Sequence, residues 1–294
     1  MGDPSLIFLS QIRDNLAYAD IGLIKQSIAD LKNKFAPVAI LKKGHYIDRV
    51  RINNGGEIFT RKDQVNYITD LDKLNNYVSF GRANFPGQSI FYGAVPSPQI
   101  RLSRGTAYLE TTDFFAIKPI PNNFSEIFTL SRWTILADVQ VMEIIFSDEA
   151  LKISEYVKKS FESQTAAISD HKLKDHFLAQ GKFFSNEFSR DDCRGMPDNY
   201  KISSAYANYV WKSTSVKGVT FPSVRTEFKG QNVALMPEIV DKYLKLEIVG
   251  LFKFERKDGI NLPIDSIKIA KDLGMDQINF KWIDYVGKEQ QQSF

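Results

Sequence analysis

A stretch in the first half of the chain carries residue types that could bind and cleave an anionic ligand. Phe80–Glu110 opens with Gly81-Arg82-Ala83-Asn84, passes Pro86-Gly87 and an apolar run that ends in Tyr92, and closes on Glu110. A guanidinium matches phosphate oxygens bidentately, and a carboxylate stabilises positive charge that develops on a sugar. If Arg82, Tyr92 and Glu110 converge, they supply what a sugar-phosphate ligand needs.

Local elements must position these side chains. Pro fixes φ at the second position of a type II turn and Gly accepts positive φ at the third, so Pro86-Gly87 predicts such a turn. The β-forming residues Ser89–Tyr92 predict a strand directly after it. Ala107–Leu109 predicts a second strand or the start of a helix, which delivers Glu110. We therefore expect a turn, a strand and one further element to enclose a cleft.

A second pair of arginines lies in the predicted strand Tyr46–Ile52, which the turn-forming residues Asn53–Gly56 close. Arg49 and Arg51 are two positions apart, so their side chains point to the same face of the strand. Two guanidinium groups on one face suit a phosphate. The alternative is a solvated strand face, which composition alone favours.

A serine far downstream completes the pattern. The segment Lys217-Gly218-Val219-Thr220-Phe221-Pro222-Ser223 places Ser223 at the end of a short predicted strand, and Gly230–Ala234 follows. In this order, the early arginines, the Gly-Arg-x-Asn-x-Pro-Gly motif, the acid after an apolar segment and this serine resemble the RES-domain family. That family is named after an Arg, a Glu and a Ser. The matching blocks extend from Tyr46 to Phe254.

The resemblance implies a fold, a ligand and a role for each residue. RES-domain proteins are similar in fold to ADP-ribosyltransferase toxins, whose split β-core holds NAD in a cleft. By resemblance, Glu110 is the catalytic carboxylate, and Arg82 and Arg49 bind the pyrophosphate. Tyr92 packs against nicotinamide or ribose and offers a hydroxyl donor. Ser223 hydrogen-bonds the ribose or Glu110 itself.

Two of these assignments have alternatives. Glu110 is followed by Thr111-Thr112-Asp113, which is more polar than the family's usual continuation. Asp113 is therefore the alternative catalytic acid. The resemblance favours Arg49 as a ligand-binding residue, whereas Arg51 is not favoured.

The resemblance also implies an activity. Nicotinamide leaves NAD as a neutral pyridine, so cleavage needs no general acid, and one carboxylate beside the oxocarbenium-like transition state suffices. We expect an NAD-consuming toxin, a glycohydrolase or phosphorylase that causes growth arrest and pairs with a cognate antitoxin. Two alternatives stay open. One is an ADP-ribosyltransferase with a protein target, and the other is a non-catalytic protein that binds a nucleotide or a partner on the same scaffold.

Composition bounds the other function classes. The chain has 294 residues, of which 43% are hydrophobic and 25% charged, and a net charge of +3. This is typical of a soluble globular protein and too balanced to indicate nucleic-acid binding. Cys193 is the single cysteine, and the three histidines lack the spacing of a zinc pair, so we expect no metal site. With no signal peptide and no apolar stretch near ~20 residues, we expect a cytoplasmic protein without a membrane partner.

Strands and helices mix without regular βαβ alternation, which predicts an α+β fold with a mixed or antiparallel split β-core and flanking helices. We divide the chain into an N-terminal helical extension (1–45), a RES-like catalytic domain (46–254) and a C-terminal extension (255–294). A stripe of apolar residues predicts a helix over Tyr18–Phe35, packed on the main domain or forming an oligomer or partner surface; the stripe is Ile24, Ile28, Leu31 and Phe35. The two extensions could replace an antitoxin, form a homodimer surface or select a protein target.

The remaining elements follow from periodicity and composition. The longest apolar run, Arg132–Ser147, predicts strand. Helices are predicted from Asp148, with Ile153, Val157 and Phe161 buried, within Ser169–Ser189 together with a loop, and over Tyr200–Trp211. Strands are predicted over Val216–Ser223, Val233–Met236 and Leu244–Phe254, the last with Leu246, Ile248, Phe252 and Phe254 on one face. The last residues, 288–292, are expected to fray.

Overall fold

A large β-sheet forms the scaffold of the molecule, and helices pack on both of its faces. The computed structural model describes residues 3–34, 36–166, 168–193, 195–271, 273 and 278–285. In these ranges the strands are Val38–Leu41 (β1), Tyr46–Ile52 (β2), Phe91–Val95 (β3), Phe124–Ile135 (β4), Val139–Glu143 (β5), Gly218–Pro222 (β6), Gln231–Leu235 (β7), Leu244–Lys257 (β8), Ile260–Asn261 (β9), Asp265–Ala270 (β10) and Ile283–Asp284 (β11). The helices are Pro4–Ile12 (α1), Ile21–Asp30 (α2), Lys62–Val65 (α3), Leu71–Tyr77 (α4), Ser103–Thr111 (α5), Asp148–Ile153 (α6), Glu155–Ala166 (α7), His171–Phe188 (α8), Lys201–Ser213 (α9) and Pro237–Tyr243 (α10).

The strands form one mixed sheet. Its order is β1-β5-β6-β7-β3-β2-β4-β8-β10-β11, with β9 paired to β8. The pairing of β5 with β6 is parallel, whereas the central pairs β3–β7, β6–β7, β2–β4 and β4–β8 are antiparallel. The chain is thus a mixed α/β protein with a mixed sheet and flanking helices, which is compatible with the predicted α+β class.

Alternation along β7 separates the two faces of the sheet, because successive side chains of a strand point to opposite sides. Val233 and Leu235 join an apolar cluster around Trp133. Ala234 joins the other cluster, which α1, α2, α8 and α9 cover. Helix α5 packs on the neighbouring strands through Ala107 and Tyr108.

A buried ion pair fixes the start of α5 on the sheet. Asp48 of β2 is fully buried. Its carboxylate accepts from Arg132 Nε at 2.8 Å and Nη2 at 3.0 Å, and from Ser103 Oγ at 2.8 Å. Ser103 is the first residue of α5, so this carboxylate joins the helix to two strands of the sheet.

Helix α2 is shorter than the helix that the apolar spacing predicts over Tyr18–Phe35. It spans Ile21–Asp30, because the Asp20 side chain caps it at Leu23 N and Leu31 is already extended. Ile24, Ile28 and Leu31 are buried as expected. Phe35, the fourth residue of the predicted stripe, lies outside the described residues, as does the segment 288–292 expected to fray.

The apolar run predicted as strand and the helix after it are both interrupted. The run divides into the end of β4 and β5, with a turn between them in which Asp138 accepts from Lys43 N at 2.9 Å. The helix breaks at Ser154, where the backbone is extended and Ser154 N donates to Ala150 O. Ile153 is consequently exposed, and the prediction of a single buried stripe there was wrong. In contrast, 171–188 forms one continuous helix without the expected loop.

A β-bulge in β8 overturns one predicted face. Leu246 pairs with Trp133 and Ile248 with Arg132, so Glu247 is the extra residue. A bulge exchanges the faces of the side chains that follow it. Leu246 therefore lies in the cluster around Trp133, whereas Phe252 and Phe254 lie under α5. The prediction that these residues share one face was wrong.

Within the described ranges, none of the helices combines the length and the apolar character that crossing a membrane requires.

Candidate functional site

A cleft opens where strands β2 and β3 separate. The register of these two strands contains a single pair, Asp48 with Ala94. Beyond it lies a cleft of about 220 Å³. Its walls come from β2, β3, α5, the loop before β3 and the turn before α9. The lining residues are Arg49, Val50, Gly81, Arg82, Tyr92, Gly93, Ala107, Glu110, Thr111, Tyr200, Phe221 and Asn232.

Glu110 reaches the cleft from the C-terminal end of α5. The predicted alternative of a helix at Ala107–Leu109 is therefore the one that forms. Ala107 and Glu110 are three residues apart, which places them on one face of the helix. Glu110 Oε1 accepts two hydrogen bonds, from Ser223 Oγ at 2.6 Å and from Asn232 Nδ2 at 2.8 Å. Within the described part of the chain, no donor bonds its second oxygen, Oε2.

Ser223 lies directly after β6 and is fully buried. Its backbone N–H donates to Gly230 O at 2.9 Å, which closes the loop between β6 and β7. Its hydroxyl accepts from Thr226 N at 3.2 Å while donating to Glu110. Of the two roles expected for Ser223, the structure has the contact with Glu110. Ser223 acts behind the carboxylate and does not line the cleft.

Arg82 comes from the loop before β3 and is held at the C-terminal end of α8. Its Nη1 donates to Phe188 O and its Nη2 to Arg190 O at 3.0 Å. The last carbonyls of a helix have no partner inside the helix and carry partial negative charge, so they attract a guanidinium. The guanidinium also lies over the ring of Tyr200, 5.2 Å from its centroid.

The turn after Arg82 has the predicted geometry. Gly87 has φ of +72°, and Gln88 N donates to Phe85 O at 3.1 Å. Strand β3 begins at Phe91, two residues later than predicted.

Tyr92 lines the cleft, but its hydroxyl is already engaged. It accepts from Ala83 N at 2.9 Å and donates to Asn84 Oδ1 at 2.9 Å. Burial raises the pKa of the Tyr92 phenol above its ordinary value, so it stays protonated. The hydroxyl that was expected to donate to a ligand therefore donates to Asn84, in the loop that carries Arg82.

Arg49 lies in the gap between β2 and β3. Its Nη1 donates to Tyr92 O at 2.6 Å, and its guanidinium lies 5.2 Å from the ring centroid of Phe91. Arg49 Nε is buried and has no hydrogen-bond partner among the residues that the structure describes. Burial, with a smaller effect of Arg51, lowers the pKa of Arg49 to about 9, so it is charged at neutral pH. Two further residues that the sequence brought into consideration, Arg51 and Asp113, do not line the cleft.

Arg51 points elsewhere and donates to Asn66 O at 2.9 Å. Asp113, the alternative acid, is exposed and is absent from the cleft lining. The cleft thus joins Arg49, Arg82, Tyr92 and Glu110 and excludes these two.

Three of the lining residues that were not predicted as site residues add functional side chains to the cleft. Asn232 binds Glu110 from β7, and Tyr200 and Phe221 add aromatic surface. Asn232 and Phe221 are paired across β6 and β7. Two buried polar residues, Gln231 and Asn232, open a strand whose other residues are apolar, and this is the signal that could have indicated Asn232.

The arrangement has defined chemical capacities. It offers a carboxylate, a partly buried guanidinium from strand β2, a second from the loop before β3, and aromatic side chains. Such a set binds an anion beside a group on which positive charge develops. The chain matches no protein-family model, and no curated protein matches its sequence.

Proposed function

We propose that this protein is an NAD-consuming enzyme of the RES type, which cleaves the bond between nicotinamide and ribose. The observation that carries the proposal is the environment of Glu110, whose Oε1 is held by Ser223 and Asn232. Among the described residues, none donates to its Oε2, and this oxygen would be available to a ligand. The resemblance of the sequence motifs to the RES-domain family, which implies a fold that holds NAD in a cleft, supports the same assignment.

The reaction needs little from the protein beyond position and charge. The N-glycosidic bond breaks, its electron pair goes to the pyridinium nitrogen, and nicotinamide leaves neutral. An oxygen of water or phosphate then bonds the anomeric carbon and releases its proton. Glu110 stabilises the cationic ribose and orients the attacking oxygen.

The two arginines of the cleft would bind the pyrophosphate of NAD. Arg49 and Arg82 both line the cleft. Their guanidinium groups would hold the pyrophosphate and fix the register of the dinucleotide. The rings of Tyr92 and Tyr200 would pack against the nicotinamide or the ribose.

The test follows nicotinamide release from NAD, with and without phosphate, for the wild type, Glu110→Ala and Arg82→Ala. Asp113→Asn is the matched control, because Asp113 is three residues from Glu110 and outside the cleft. Release that requires phosphate identifies a phosphorylase. Release without phosphate that Glu110→Ala abolishes identifies a hydrolase.

Two further measurements separate the alternatives. NAD binding without release supports a non-catalytic nucleotide-binding protein, or a transferase that needs a protein acceptor, which labelled NAD and a cell lysate would detect. If the wild type neither binds NAD nor releases nicotinamide from it, the proposal is contradicted. As a toxin, the wild type should arrest growth of a bacterial host and Glu110→Ala should not, and a cognate antitoxin should restore growth.

A further inference from the structure

A cluster of four charged residues lies behind Arg82, at the end of α8. We call Arg13, Glu187, Arg190 and Asp192 the Glu187 cluster. Glu187 is fully buried. Its Oε1 accepts from Arg13 Nε at 2.8 Å, and its Oε2 pairs with Arg190 Nη1 at 3.4 Å. Arg190 also makes a bidentate pair with Asp192, with Nε to Oδ1 at 2.8 Å and Nη2 to Oδ2 at 2.5 Å.

The position of Glu187 in its helix is unfavourable without these partners. Glu187 is the last residue but one of α8. A negative charge there meets the partial negative charge of the helix C-terminus, and a buried carboxylate needs a partner in any case. Arg13 and Arg190 supply it from two different segments, so the cluster ties these segments to the end of the helix.

The cluster fixes the backbone that Arg82 binds. Arg82 donates to Phe188 O and Arg190 O, which flank the turn after Glu187. Arg190 Nη1 also donates to Arg13 O at 2.7 Å. The path from Arg13 to the guanidinium of Arg82 therefore consists of direct contacts.

The far end of this path lies in the N-terminal segment. Arg13 directly follows α1. The next residues are anchored by Lys201, whose Nζ donates to Leu16 O at 2.8 Å and Ala19 O at 3.2 Å. The segment before residue 46 thus contacts the backbone that supports the cleft, although it supplies none of the cleft's lining.

We propose that Arg13 and Glu187 are positioning residues for the candidate site, which hold the Phe188–Arg190 backbone and through it the guanidinium of Arg82. The proposal rests on the NAD-cleaving function proposed above. It gives the N-terminal segment a role in substrate binding. It concerns the affinity for the pyrophosphate, since Glu110 is held independently by Ser223 and Asn232.

The kinetic test compares Arg13→Ala with Lys182→Ala. Lys182 is on the same helix and pairs with Asp148 at 2.8 Å, but this pair is exposed, and neither of its side chains is hydrogen-bonded to residues 188–190 in the described part of the chain. Arg13 is itself 35% exposed, so water can replace it. Arg13→Ala should raise KM for NAD about tenfold with little change in kcat, and Arg13→Lys should restore most of the loss. Lys182→Ala should change neither constant.

A double-mutant cycle shows whether the effect passes through Arg82. In an Arg82→Ala background, Arg13→Ala should have no further effect on KM. An equal rise of KM in both backgrounds would overturn the proposal, because Arg13 would then act by another route.

A second readout does not depend on NAD. Cys193 is the single cysteine, is 4% exposed, and directly follows the Glu187 cluster. Loosening the cluster should expose its thiol, so a thiol reagent should label Arg13→Ala and Glu187→Gln at least ~10-fold faster than Lys182→Ala under native conditions. Equal labelling rates would overturn the positioning role. If the wild type neither binds nor cleaves NAD, the proposed function fails, while labelling still decides whether the cluster holds this backbone.

Discussion

At the level of single residues, the candidate site is defined by the hydrogen bonds that hold the Glu110 carboxylate. Ser223 and Asn232 both donate to Oε1 of Glu110, whose side chain lines the cleft. Both partners are buried, so neither is free to move away from the carboxylate. A carboxylate that is already fixed in place needs little reorganisation when positive charge develops beside it. This preorganisation is the main source of electrostatic catalysis.

Asn232→Ala should lower kcat for nicotinamide release by roughly 10-fold or more, because Glu110 loses one of its two orienting donors. The matched control is Gln231→Ala, which removes the neighbouring buried amide. Gln231 Nε2 donates to Thr220 Oγ1 at 3.1 Å and lies outside the cleft lining. Steady-state kinetics of both variants check this, and equal kcat values for the two would contradict an orienting role for Asn232.

The predictability of these residues differed with the kind of evidence each one needs. Arg82, Tyr92 and Glu110 fall within one short stretch, so their types and order were enough to group them. The engagement of the Tyr92 hydroxyl by Ala83 and Asn84 depends on how the loop folds back. No local pattern contains that information.

Two glycines show how elements support the site. A Cβ at Gly81 would lie 2.3 Å from Asn84 Oδ1 and 3.1 Å from the Tyr92 hydroxyl, so the loop that carries Arg82 leaves no room for one. A Cβ at Gly105, in α5, would have nothing within 4 Å. One glycine permits a close approach, and the other only adds freedom to the unfolded chain.

Gly81→Ala should therefore destabilise the protein by about 1–3 kcal/mol, because it forces the Asn84–Tyr92 hydrogen bond apart. Gly105→Ala should raise the free energy of unfolding by roughly 0.5–1 kcal/mol, since alanine favours the helix. Urea denaturation of the two variants measures both. A stabilising effect at Gly81 would show that the loop can yield.

The ion pair beneath α5 carries the second prediction for an element. Asp48→Ala leaves Arg132 partly buried without its carboxylate and removes the acceptor of Ser103, so it should cost about 3–5 kcal/mol of stability. Lys42→Ala is the control, since the Lys42–Asp138 pair is about half exposed on both sides and should contribute under ~1 kcal/mol. Thermal or urea unfolding distinguishes them, and similar losses in both would contradict a structural role for the buried pair.

At the level of the whole molecule, residues 3–34 contribute to the same apolar core as the sheet. Ile24 and Ile28 are fully buried and pack with residues of α8 and α9. Strand β1 extends the sheet at one edge, and β10 and β11 extend it at the other. Segments outside 46–254 therefore take part in the sheet and its packing.

Neighbouring substitutions in α2 test this participation. Ile24→Ala should lower the free energy of unfolding by about 2–5 kcal/mol, because it opens a cavity in the core. Leu23→Ala should change it by less than ~0.5 kcal/mol, since Leu23 is 58% exposed. A single cooperative transition, shifted as a whole by Ile24→Ala, is expected in denaturant titrations. A separate early transition would show that the segment unfolds on its own.

Local sequence was enough to predict a mixture of strands and helices, the approximate position of several strands and the short stretch that contains three of the candidate residues in the cleft. These depend on periodicity, turn chemistry and residue type, which act over a few neighbours. The predicted face of β8 failed because one bulged residue, Glu247, reverses the alternation, and an inserted residue leaves no mark in composition.

Only the tertiary structure decided how Glu110 is held and what stands behind Arg82. Asn232 lies 122 positions from Glu110, and Phe188 lies 106 positions from Arg82. Contacts across such separations arise when strand pairing and helix packing bring distant segments together. The identity of a residue does not specify which distant residue will contact it in the folded protein.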